Sequence, residues 1–129
     1  MRGRHSHESL IKGLIDYFTQ RHIEIYYANY RGYKKPIVVK RHAPDMLCMD
    51  SKTGMAYIAE AKLCSELTDQ ITKEQFEDFP KRIMRNGKSS GKYTQFYIAV
   101  PLECESKIHE VFRQWEIPWR DNIQILGFK

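Results

Sequence analysis

Residues 44–62 read PDMLCMDSKTGMAYIAEAK, and the fold turns on how they pair. Two apolar segments, Asp45–Met49 and Met55–Lys62, flank DSKTG, whose Asp, Ser and Gly suit a tight turn. The segment therefore predicts a β-hairpin. Its charged residues are the puzzle. A buried charge costs several kcal/mol unless it is paired or holds a metal. In a strand, residues two apart share a face at roughly 6–7 Å, so Glu60 and Lys62 project on the side of Ala56 and Ile58. The hairpin register puts Asp45 beside Glu60. Two converging carboxylates repel unless a proton or a cation lies between them. Oxygen donors of this kind suit Mg²⁺, with Mn²⁺ as the alternative, and the Ala61 carbonyl is a further candidate ligand. A neighbouring ammonium, Lys62, completes a set suited to phosphodiester hydrolysis.

Outward from the hairpin, the pattern is α-β-β-β-α-β-α-β. Leu10, Ile11, Leu14, Ile15 and Phe18 recur at helical spacing, predicting a helix over about 7–21 with Ser6 as N-cap. HIEIYYANYR predicts a strand, and Ile37–Val39 a short edge strand. A helix begins near Asp69 and is ended or kinked by Pro80. TQFYIAV is a strand bounded by Pro101, Glu103–Trp115 a helix, and NIQILGF the last strand. This is an α/β mixed sheet flanked by helices, with all 129 residues in a single domain.

Apolar residues make up 42% and charged residues 29%, which indicates a globular chain rather than a disordered one. No apolar run approaches the roughly 18 residues of a membrane span, and the basic start MRGRHSHES lacks the apolar segment of a signal peptide. The three cysteines, Cys48, Cys64 and Cys104, form no CxxC pair. That spacing argues against zinc and against a disulfide framework, so a reducing, cytoplasmic (intracellular) setting is expected. The net charge of +5 is concentrated. Arg31–Arg41 carries five basic residues without an acid, and so does Lys81–Lys92. Lys34, Lys35, Lys40 and Arg41 in the first run, and Lys81, Arg82, Arg85, Lys88 and Lys92 in the second, are candidates for phosphate contacts.

The Pro44-Asp45 pair followed by Glu60-Ala61-Lys62 on the next strand resembles the PD-(D/E)XK nuclease superfamily. Spacing and the following helix look most like its archaeal-type Holliday junction resolvases. RHAPD…AEAK is also similar to the nuclease subunit of Tn7-type transposases. The resemblance implies a restriction-endonuclease-like fold and a Mg²⁺-dependent endodeoxyribonuclease. It further implies Asp45 and Glu60 as metal ligands, Lys62 as the catalytic lysine, DNA as branched or duplex substrate, and a homodimer. It adds Glu8 as a further metal ligand from the first helix and Gln75 as a supporting residue on the helix after the lysine. Glu8 should lie near the buried face of its helix, although an acid in a first turn is favoured by the helix dipole regardless. Gln75 should share an apolar face with Ile71 and Phe79. A restriction, repair or transposon-end nuclease, a non-catalytic nucleic-acid-binding module of this fold, and a metal-binding interaction domain are the alternatives. His5 and His7 read as a solvated pair, His42 as a loop histidine without a role in the site, with phosphate contact or proton transfer as the alternative, and Trp115 and Trp119 as closing a core.

Overall fold

The computed structural model describes residues 5–129; Arg2 and Arg4 of the basic N-terminal stretch lie outside them. Five strands form one sheet in the order β1-β2-β3-β4-β5: β1 Glu24–Ala28, β2 Met46–Met49, β3 Ala56–Ala61, β4 Gln95–Pro101 and β5 Ile123–Phe128. The first three are antiparallel neighbours, whereas β3, β4 and β5 run parallel. The parallel half needs crossovers, supplied by α2 (Gln70–Asp78) and α3 (Lys107–Gln114). The predicted order of elements is the observed one.

α1 (His7–Gln20) covers one face of the sheet. Ser6 Oγ accepts from the Ser9 amide at 3.1 Å and Ser9 Oγ accepts from the Ser6 amide at 2.9 Å, so two otherwise unpaired donors are satisfied at the helix start. Its buried stripe, Leu10, Ile11, Leu14, Ile15 and Phe18, packs on Ala28, Met46, Ala59, Ala61 and Ala99. The row of alanines on the sheet lets the helix lie close. Gly13 does the same locally, since a Cβ there would come within 3.1 Å of the Phe128 ring. The opposite face is packed by Phe76, Phe79, Ile108, Val111 and Phe112 against Ile58, Phe96, Ile98 and Val100.

The 50–54 turn closes as its composition predicts. The Gly54 amide donates to the Asp50 carbonyl at 2.7 Å, and Gly54 takes φ +72°, which glycine adopts without steric cost. Three expectations are corrected. Ile37–Val39 is not a strand: Val39 pairs only with His42, as an isolated bridge within a tight turn. The helix expected from Glu103 starts with a separate 3₁₀ turn, Leu102–Cys104, before α3. Cys64 and Cys104 are joined by a disulfide. Sequence spacing hid this pair because the β3–β4 crossover, not the local chain, brings the two cysteines together. The bond also removes the cysteine argument for a reducing setting. Among the described residues, no helix is long and apolar enough to cross a membrane.

Candidate active site

The β2–β3 register pairs Met46 with Ala59, so one step further places Asp45 opposite Glu60 at the open end of the hairpin. The contact is reciprocal. The Asp45 amide donates to Glu60 Oε1 at 3.1 Å, and the Ala61 amide donates to Asp45 Oδ2 at 2.9 Å. Each carboxylate thus commits one oxygen to the neighbouring strand, which fixes its orientation. Lys62 follows on the face of Glu60, its own amide donating to the Ala99 carbonyl of β4 at 2.9 Å. Its Nζ stands 3.5 Å from Glu60 Oε2. Gln75, arriving from α2, donates from Nε2 to the same Glu60 oxygen at 3.3 Å.

Glu60, Lys62 and Gln75 are buried, Glu60 at 4% and Lys62 at 6% exposure, while Asp45 is half-buried. Burial pushes the Glu60 carboxyl well above the usual carboxylate range; the adjacent Asp45 adds to the rise and the Lys62 ammonium opposes it. Two carboxylates facing one ammonium leave a formal excess of negative charge. Gln75 Oε1 is buried with no hydrogen-bond partner. A buried unpaired carbonyl costs about 1–3 kcal/mol, so the site holds an acceptor that its protein surroundings do not satisfy.

The other predicted positions divide. Glu8 lies in the first turn of α1, but its side chain is 61% exposed and stands 3.7 Å from Arg31 Nε. It does not join Asp45 and Glu60, and among the described residues no group of three or more His, Cys, Asp or Glu side chains converges. Ser6, His7, Glu8 and Ser9 are all exposed and burial on α1 begins only at Leu10, so the first turn lies in solvent whatever its angular position. Gln75 is buried as expected, yet Ile71 on the same helix is 55% exposed. Lys34, Lys35, Lys40, Lys81, Arg85, Lys88 and Lys92 are exposed, and Arg82 is half-buried. Lys88 is partly occupied, with Nζ donating to the Lys52 carbonyl at 3.1 Å.

Arg41 is not a free cation. It pairs with Asp78 through two hydrogen bonds of 2.9 Å and with Glu77 at 3.1 Å. His42 bonds Glu74 at 2.7 Å. Glu74, Glu77 and Asp78 follow i, i+3, i+4 spacing, which presents them on one side of α2; that spacing was the signal for this anchor. The basic run reads as uniform in sequence, but its C-terminal end is a strap tied to the helix that carries Gln75. His7 pairs with Glu66 at 2.7 Å and His5 Nε2 lies 3.0 Å from the Phe128 carbonyl, so neither is merely solvated. Trp115 packs against the core, while Trp119 lies tilted against His109 and edge-on to Phe112 and stays 39% exposed.

Comparison of the chain with protein-family models, with curated proteins and with solved structures gave no match.

Proposed function

We propose that the protein is a Mg²⁺-dependent endodeoxyribonuclease, with resolution of four-way DNA junctions as its leading role. The observation that carries this reading is the meeting of half-buried Asp45 with buried Glu60 and Lys62 in a cluster whose charge and hydrogen bonding are incomplete. Structural ion pairs are normally satisfied, because half-satisfied buried networks are costly. The donor set fits a hard divalent cation, which commonly uses one or two carboxylates together with water and substrate phosphate. Asp45, Glu60 and the Ala61 carbonyl would hold it, and it would supply a Lewis acid that polarises the phosphodiester and lowers the pKa of bound water.

The chain's own groups have separable tasks. The two cross-strand hydrogen bonds hold the carboxylates in place before substrate arrives, so little reorganisation remains for the reaction. Lys62, fixed between β3 and β4, is positioned to stabilise charge that develops on the phosphoryl oxygens. Gln75 orients Glu60 and presents Oε1 as an acceptor for a water. Exposed lysines of the 34–40 and 81–92 segments supply phosphate contacts, which give affinity without sequence preference. A homodimer would give paired cuts, as the resemblance implies.

The test compares a four-way junction with its matching linear duplex in Mg²⁺. Wild-type protein should nick the junction in pairs, and Lys62→Ala should lower the rate by about 10²–10³-fold while binding stays within about twofold. Equal cutting of both substrates would keep a nuclease but replace the resolvase role with restriction, repair or transposon-end cleavage. Absence of cutting with salt-sensitive DNA binding retained would leave a non-catalytic nucleic-acid-binding module.

A further inference from the structure

A groove of about 740 Å³ opens on the sheet face that carries Asp45 and Glu60, away from the α1 side. Its floor includes Leu47, Met49 and Ala56. By strand alternation Leu47 and Met49 share a face with Asp45, and Ala56 shares one with Glu60. The groove and the candidate site are therefore built on the same two strands. Its size falls within the roughly 300–1,000 Å³ of ligand pockets.

Two features mark the groove as more than a packing gap. Tyr26 and Tyr27 both line it, although consecutive strand residues should point to opposite faces. The β1–β2 register shifts between Ile25 and Tyr27. A bulge of this kind re-aims a side chain, and here two phenol rings end up on one surface. Tyr26 remains 47% exposed, and the walls add Ile37, Val38 and Ile83 at 55%, 63% and 50%. The rim is basic: Lys40, Lys81, Arg82 and Arg85 line the groove, and no acidic residue does. Lys40, Lys81 and Arg85 make no ion pair with a described residue, in contrast to Arg41. Lys40 is moreover held at φ +62°, a backbone region that non-glycine residues seldom adopt.

We infer that this groove binds an unpaired nucleic-acid strand, its bases lying against Tyr26, Tyr27 and Met49 and its phosphates against Lys40, Lys81, Arg82 and Arg85. An aromatic and apolar floor under a purely cationic rim matches the two chemistries of a single strand, flat π-faces and a regular anionic backbone. A wholly apolar peptide would leave the rim unpaired, and paired duplex would hide its bases from the floor. The inference takes its ligand class from the nuclease reading, but its test needs no cleavage.

The probe is a fluorescent oligothymidylate of about ten nucleotides, compared by anisotropy with a duplex of equal length, in EDTA. Tyr26→Ala/Tyr27→Ala should weaken single-strand binding by about tenfold or more and duplex binding by less than about twofold. Tyr26→Phe/Tyr27→Phe should restore it, because the ring rather than the hydroxyl does the stacking, and this variant also controls for folding. Arg85→Ala should lower the salt slope by about 1. Single-strand binding indifferent to the alanine pair would overturn the groove and leave the nuclease standing. Tyrosine-dependent binding by a protein that cuts no DNA would uphold the groove and sink the nuclease. No oligothymidylate binding at low salt would overturn the groove assignment and direct attention to an extended peptide.

Discussion

Glu60 carries the clearest conflict between stability and chemistry. Its carboxyl is held above the usual range by burial first and by Asp45 second. The folded state therefore takes up this proton more readily than the unfolded chain does. Stability from this group is complete below the unfolded value of about 4.3 and is lost as pH rises through the higher folded value. Glu60→Gln should accordingly stabilise the protein at pH 8 by on the order of 1 kcal/mol and abolish the proposed cleavage. The gain should shrink toward pH 4.5. Thermal melts of both proteins at the two pH values measure this, and an equal or lower melting point for the variant at pH 8 would contradict it. Asp45, Glu60, Ala61 and Lys62 were legible in sequence because a hairpin with a strong turn signal leaves one plausible register. Glu8 was not, since helical angle alone does not reveal that burial on α1 begins only at Leu10.

At the scale of elements, the strap of residues 39–42 is set by α2. Burial alone would raise the Asp78 carboxyl, but hydrogen bonds and charge from Arg41 outweigh it and hold the group below its ordinary value. This anchor is present above the ordinary carboxylate range and is lost as pH falls through the depressed value. Asp78→Asn should free the strap and raise the initial rate of tryptic cleavage after Lys40 or Arg41 several-fold at neutral pH. An unchanged digestion rate, followed by mass spectrometry, would show that the strap is held by other contacts. Helices and strands were readable from periodicity, because each buries one stripe or one face. The 37–42 segment was not. Its conformation comes from partners about 35 residues away, Glu74, Glu77 and Asp78, and local propensity holds no record of them. The bulge at Tyr26 escaped for the same reason, since register is a property of a strand pair.

For the whole molecule, the Cys64–Cys104 disulfide closes a chain segment with a sequence separation of 40. Loop-closure entropy for such a segment contributes about 4 kcal/mol. Reduction, or Cys104→Ser, should lower the melting temperature by on the order of 10 °C. Differential scanning calorimetry with and without reductant measures it, and coincident melts would argue that the bond adds nothing. Cys48 should not interfere: its thiol is buried and pushed up to about 12, so thiolate chemistry there is suppressed. Fold class followed from the order of elements, whereas the disulfide needed the three-dimensional crossover that no spacing rule supplies.

The contact between His5 and the Phe128 carbonyl has a practical side. β5 runs parallel to β3 and ends level with Lys62, one strand beyond β4. His5 and the close of β5 thus meet at the edge of the sheet where β3 presents Glu60 and Lys62. A spectroscopic label placed at His5 or Phe128 would therefore report from beside that edge without touching Asp45, Glu60 or Lys62.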